Sequence, residues 1–220
     1  MKRVVVLISG RGSNLLALHE SLNTATKQGQ HIASVKAVIS NEPAAAGLLW
    51  AADQGIRTAV INHRSFKDRD AFDIALAGAV ADHEPDLVVL AGFMRVLGQR
   101  FVQAFSGRLI NIHPSLLPAF PGLHTHERAL AAGVCVHGAS VHFVTETLDG
   151  GPIIAQAVVP VRHGDNAQIL AQRVLALEHR LLPQVVIDFS LGLVRLDPAG
   201  RLQASAEAIR LMAAVNEDAA

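Results

Sequence analysis

Cysteine is almost absent from the chain. The single thiol, Cys135, gives no internal disulfide framework and too few thiolates to build a structural zinc site. Set in Val134-Cys135-Val136, it reads as a small core residue. Net charge is also missing: 19 basic residues meet 19 acidic ones, with no basic run. That balance argues against a nucleic-acid surface and leaves anion recognition to backbone amides or a few placed arginines. No apolar run is long enough to span a bilayer. The opening Met1-Lys2-Arg3 and the short apolar run 4–8 give way at once to Ser9-Gly10-Arg11-Gly12, which fits a first strand better than a signal peptide. The expectation is a soluble cytoplasmic protein with no membrane partner. Repeats and low-complexity linkers are lacking too, so 220 residues predict one domain, 1–220.

What the chain has is apolar residues, half of its composition, arranged in short β-branched runs between longer helical patterns. Runs 4–8, 35–39, 58–61, 87–90 and 109–112 read as strands, and 14–27, 44–54 and 68–83 as helices, with Gly55 suited to a helix C-terminus. Strands apolar throughout point to a parallel sheet covered on both faces. The series predicts a doubly wound α/β fold, mostly parallel, with helices on both faces. After a proline- and glycine-broken loop at 114–126, segments 140–145 and 153–161 flank a turn and predict an antiparallel extension. Segment 166–190 reads as a long helix with a kink at Pro183, 197–200 as a weak hairpin turn, and 205–214 as a short helix. The chain thus divides into a phosphate-binding βαβ half at 1–105, a second half at 106–190 and a tail at 191–220.

Three places carry chemistry. In Asn111-Ile112-His113-Pro114-Ser115, a strand over 109–113 puts Asn111 and His113 on one face and Ile112 on the other. An amide donor beside a titratable imidazole suits steadying an oxyanion while moving a proton, and Pro114 leaves the pair at the strand's carboxyl end, where open α/β sheets bind ligands. Ser9-Gly10-Arg11-Gly12-Ser13-Asn14 forms a glycine-rich strand-to-helix turn whose amides suit a phosphate; the same turn could bind nothing. Leu15 stands where a dinucleotide fingerprint needs its third glycine, which disfavours a dinucleotide cofactor. Asp149-Gly150-Gly151-Pro152 is an ordinary turn, or a site element if the fold brings Asp149 beside His113, where a carboxylate would favour the imidazolium. His113, His124, His126, His137 and His142 match no common zinc spacing, so no metal is expected. Arg69 and Glu178 read by default as surface charges, and Met94-Arg95-Val96-Leu97 as core or cleft wall.

Val6–Asn14, Leu90–Arg95, Asn111–Pro118, Pro121–His126 and Leu148–Pro152, five motifs in order, resemble the phosphoribosylglycinamide formyltransferase family from about Val4 to about Gly192. The resemblance implies transfer of the formyl group of 10-formyltetrahydrofolate to glycinamide ribonucleotide in purine synthesis, without metal. It implies that Gly12, Ser13 and Asn14 hold the ribonucleotide phosphate and that Glu178 contacts the ribose hydroxyls. Met94, Arg95, Val96 and Leu97 would line the folate cleft, with Arg69 near the carboxylate-bearing end of the folate. Asn111 would bind the formyl oxygen, His113 would be the proton donor, and Asp149 would raise the histidine's pKa. Leu175 departs from the family, where a polar residue often stands three positions before the glutamate; on a helix the two share a face, so one nucleotide contact is expected to be missing. A formyl-folate hydrolase, which usually carries an extra N-terminal domain, and a transfer-RNA formyltransferase, which needs a C-terminal domain and a basic surface, fit less well. A non-enzymatic binding protein would have no need of Asn111, His113 and Asp149 together. The substrates are small molecules, and both monomer and homodimer fit the sequence.

Overall fold

A computed structural model describes residues 1–213. Five strands, β1 (Lys2–Ile8), β2 (Ala33–Ser40), β3 (Arg57–Val60), β4 (Leu87–Leu90) and β5 (Leu109–His113), alternate with helices α1 (Ser13–Lys27), α2 (Ala46–Asp53), α3 (Arg69–Ala81) and α4 (Gln99–Ala104). The chain continues through α5 (Thr125–Ala131), β6 (Val136–Phe143), β7 (Ile153–Pro160), α6 (Ala167–Ser190), β8 (Val194–Leu196), β9 (Leu202–Ala204) and β10 (Leu211–Ala213). Eight strands form one sheet in the order β10-β7-β6-β5-β4-β1-β2-β3. The pairs β1/β2, β2/β3, β1/β4, β4/β5 and β7/β10 are parallel, while β5/β6 and β6/β7 are antiparallel. Strands β8 and β9 make a separate antiparallel pair.

The expected mostly parallel sheet with an antiparallel extension is therefore present, and its two-sided cover explains the unbroken apolar strands. In β1, Val4, Val6 and Ile8 pack on the α1 and α6 side with Leu15, Leu18 and Leu181. Val5 and Leu7 pack on the α3 and α4 side with Phe72, Leu76 and Phe101. Alternate residues face opposite layers, so both must be apolar.

Several expectations need correction. Segment 205–214 is not a helix: residues 211–213 form β10, which extends the sheet beside β7, and residue 214 lies outside the described residues. Helical spacing over so short a stretch loses to an open sheet edge whose backbone groups want partners. The long helix expected over 166–190 is present as α6, Ala167–Ser190, with Pro183 inside it and buried among its core-facing residues. Cys135 is exposed rather than core, because it precedes β6 in the connection from α5. Helices α4 and α5 have no counterpart in the sequence reading; at 6 and 7 residues they are too short for periodicity to stand out.

Candidate active site

The order β3-β2-β1 on one side and β4-β5 on the other makes the β1/β4 boundary a topological switch point, where ligands bind open α/β sheets. Two loops leave it side by side: the turn 9–12 after β1 and the segment 91–98 after β4. They are tied together. The Ser9 amide donates to the Gly92 carbonyl (3.0 Å), the Met94 amide donates to Ser9 Oγ (2.7 Å), and that hydroxyl donates to Asn41 Oδ1 (2.5 Å).

Within the turn, Gly12 has φ 75° and sits against Gly47, whose Cα would lie 3.1 Å from an added Cβ. Backbone conformation and close approach both call for glycine here. Helix α1 begins directly after it with no side-chain cap, so its first amides remain open to an anion. Asn14, buried in the first turn of α1, donates to Glu178 Oε2 at 2.7 Å. Glu178 is thus no surface charge. It is buried on the inner face of α6, and burial raises its pKa against the opposing effect of the Asn14 bond.

In β5, Leu109 packs into the α3 and α4 layer while Ile110 and Ile112 pack on the α6 side. Asn111 and His113 continue the Leu109 face past the helices and look into a cleft of about 440 Å³. That volume lies in the range of small-molecule sites. Its walls include Met94, Arg95, Val96 and Leu97 on one side and Leu123, Leu148 and Asp149 on the other. Met94, Val96, Leu123 and Leu148 are all exposed large apolar side chains, so the rim is greasy around a polar floor.

The floor is a connected set. Asp149 Oδ2 stands 3.5 Å from His113 Nδ1 and accepts the Gly122 amide at 2.7 Å. His113 Nε2 donates to the Phe120 carbonyl at 3.0 Å. Both ring nitrogens thus face oxygen atoms. The other carboxylate oxygen, Oδ1, lies 3.7 Å from His142 Nε2. His142 Nδ1 donates to the Phe143 carbonyl (2.9 Å), which leaves Nε2 of the neutral ring to accept from Asn111 Nδ2 at 3.2 Å. Burial keeps the His142 pKa low, consistent with the neutral tautomer. This chain of donors and acceptors fixes the orientation of the Asn111 amide and leaves its second N–H for a ligand.

Asn111, His113 and Asp149 thus meet in one cleft, with residues 94–97 along its wall; the fold brings Asp149 beside His113, the condition the sequence left open. Gly12, Ser13, Asn14 and Glu178 lie outside this cleft lining, at the head of α1. Arg69, half-exposed at the start of α3, reaches 3.9 Å from Asp73. Sequence reasoning named His142 only within a loose histidine group and missed Ser9 Oγ and Asp73. Only the β5/β6 register, which pairs Asn111 with His142, reveals the first of these. Of the remaining histidines of the group, His124 and His126 also line the cleft, and His126 meets His137 edge to face, with His137 Nε2 3.2 Å from His126 Nδ1. Among the described residues no three His, Cys, Asp or Glu groups converge as metal ligands would. A larger open groove at the N-terminal end of β1 contains Lys2, Arg3 and Asp86, whose charges pair with one another.

Fold and site define a group-transfer enzyme, and comparison with known proteins gives the group. The formyl transferase family model matches residues 2–186, and the chain belongs to that family. It is 48% identical to phosphoribosylglycinamide formyltransferase of Escherichia coli K12 over 193 residues, 88% of this chain and 89% of that protein. It is also 48% identical, over 91% of its length, to the trifunctional purine biosynthetic protein adenosine-3 of Bos taurus, of which it spans 19%. Among solved structures, glycinamide ribonucleotide transformylase 1 from Symbiobacterium toebii superposes with a TM-score of 0.86 at 42% identity, covering 93% of this chain and 94% of that one. Among the described residues, no helix is long and apolar enough to cross a membrane.

Proposed function

We propose that the chain transfers the formyl group of 10-formyltetrahydrofolate to the amine of glycinamide ribonucleotide, a step of purine biosynthesis, in the cytoplasm and with no metal. The observation that carries this reading is the meeting of Asn111, His113 and Asp149 at the floor of an apolar-rimmed cleft beside a glycine-rich helix terminus. On this reading the chain is one formyltransferase domain whose 1–105 half supplies the phosphate turn and whose 106–190 half supplies the catalytic floor.

The phosphate of the ribonucleotide is held by the amides at Gly12, Ser13 and Asn14, and Glu178 accepts from the ribose hydroxyls. The pterin lies along Met94, Arg95, Val96 and Leu97, and Arg69 meets the carboxylate end of the folate. The uncharged amine attacks the formyl carbon, and a tetrahedral intermediate develops negative charge on the former carbonyl oxygen. The free N–H of Asn111 meets that charge, joined by the Nε2 proton of His113 as it leaves the Phe120 carbonyl for the oxyanion. Asp149 holds the ring through Nδ1 and balances the positive charge the ring carries. The formyl carbon–N10 bond then breaks, N10 gains a proton as the amine loses one, and formylglycinamide ribonucleotide and tetrahydrofolate leave. Binding both substrates across one switch point also supplies proximity.

The decisive experiment measures formyl-folate turnover by the purified chain with and without glycinamide ribonucleotide. Turnover that requires the ribonucleotide supports transfer; equal formate release without it would make the chain a hydrolase.

A further inference from the structure

Asp73 is a charge for which the reading above has no use. It lies on the inner face of α3 beside Phe72, 1% exposed. Burial, the dominant influence, pushes its pKa up, against the amide bond from Gly98 and the charge of Arg69. A carboxylate so far from water is costly unless specific partners compensate, so its partners show what it holds.

Oδ2 accepts the Gly98 amide at 2.6 Å and lies 3.9 Å from Arg69 Nε, while Oδ1 is buried without a hydrogen-bond partner. Gly98 closes the cleft segment that begins at Met94. Its backbone is ordinary extended chain, φ −81° and ψ 169°, which any residue adopts. A Cβ there would nevertheless overlap Asp73 Oδ2. Glycine at 98 makes room for the carboxylate, which a larger residue would displace; the backbone itself makes no such demand. At the other end, the Met94 amide is held by Ser9 Oγ. The segment is therefore tethered at Met94 to the phosphate turn and at Gly98 to α3, with Arg95, Val96 and Leu97 strung between.

We propose that Asp73 is a positioning residue for the formyl donor: its carboxylate fixes the Gly98 end of the pterin-facing segment and holds Arg69 beside it. One buried group then sets the protein surfaces that meet both ends of the folate. This inference rests on the formyl-folate reading of the cleft.

The test uses the full chain with 10-formyltetrahydrofolate and glycinamide ribonucleotide, and the variants Asp73→Ala, Asp73→Asn, Gly98→Ala and the double change D73A/G98A. Losing a hydrogen bond to a charged acceptor and stranding a buried amide predicts a rise of about tenfold in the folate KM for Asp73→Ala. The nucleotide KM and kcat should stay within about twofold. Asp73→Asn, which keeps an acceptor for Gly98 but no charge for Arg69, should fall between. Gly98→Ala alone should raise the folate KM, and adding it to Asp73→Ala should add nothing, because the obstructing oxygen is gone. A purely structural role would move both KM values together or only the melting temperature, and either result overturns the proposal. So does an unchanged folate KM in a folded Asp73→Ala. If that variant does not fold, Asp73→Asn and Gly98→Ala decide by the same split. A wild-type chain without ribonucleotide-dependent turnover would overturn the formyl-transfer reading itself, whereas active wild type with indifferent variants overturns Asp73 alone.

Discussion

His113 Nδ1 and Asp149 Oδ2 stand 3.5 Å apart, although 36 positions separate them and they sit on unlike backbones: one ends a strand, the other is a turn residue at φ 50°. The Gly122 amide, bonded to the same carboxylate oxygen, closes the group from the loop after β5. The pair should govern the proton step. Changing His113 to Gln should cut kcat by about a hundredfold or more, the usual scale for a positioned acid or base, with the nucleotide KM little changed. Steady-state kinetics with each substrate varied check this; a kcat near wild type would remove His113 from the chemistry.

Asn111 and His142 make a second pair whose effects should differ in size. Asn111→Ala removes the oxyanion donor and should lower kcat about a hundredfold or more. His142→Phe leaves the amide in place but frees its orientation, so its loss should be smaller. If the His142 change proved the more damaging, the histidine would have to act on substrate directly.

Glu178 should matter to the nucleotide alone. Glu178→Ala strands the Asn14 side chain, whose Nδ2 now has its bond at 2.7 Å, and removes the acceptor for ribose. A rise of about tenfold or more in the ribonucleotide KM is expected, with the folate KM unmoved. Isothermal titration with each ligand separates the two effects, and a folate-side loss would contradict the division into subsites.

Acid should loosen the packing around His137. Burial, then the neighbouring His126, holds its pKa down at about 4, against an ordinary value of 6.5. Between those values the unfolded chain takes up a proton that the folded chain refuses, so stability is whole above pH 6.5, falls as the pH drops, and levels off below about 4. His137→Gln lacks that proton and should lose stability less steeply across the same window. Urea midpoints at pH 7, 5.5 and 4 for both proteins check it; parallel curves would exclude His137 as a contributor.

Gly138 tests the hairpin that carries His142. A Cβ at 138 would overlap the Ala157 carbonyl on β7. Overpacking costs on the order of 1–3 kcal/mol, so Gly138→Ala should lower the melting temperature by several degrees. An unchanged melting temperature would mean that β6 and β7 yield easily.

Much of this was legible in the residues alone. Unbroken apolar runs announced the parallel strands, and alternation alone put Asn111 and His113 on one face. Local signals could not show Glu178 as buried, because a glutamate on an amphipathic helix reads as solvated until the helix meets Asn14. Nor could they show Asp73, whose meaning lies in Gly98, 25 positions away. Short elements failed most: α4, α5 and β10 are set by the edges and loops they cover, not by their own composition.

Strand β5 bonds in parallel to β4 on one side and antiparallel to β6 on the other, with Asn111 opposite Leu90 and His142 at once. A chain emerging from the ribosome can complete the five parallel strands by residue 113, yet it then holds an Asn111 and a His113 without the His142 and Asp149 that orient them. The group of Asn111, His113, His142 and Asp149 is therefore complete only when the β6–β7 hairpin is added to the five parallel strands.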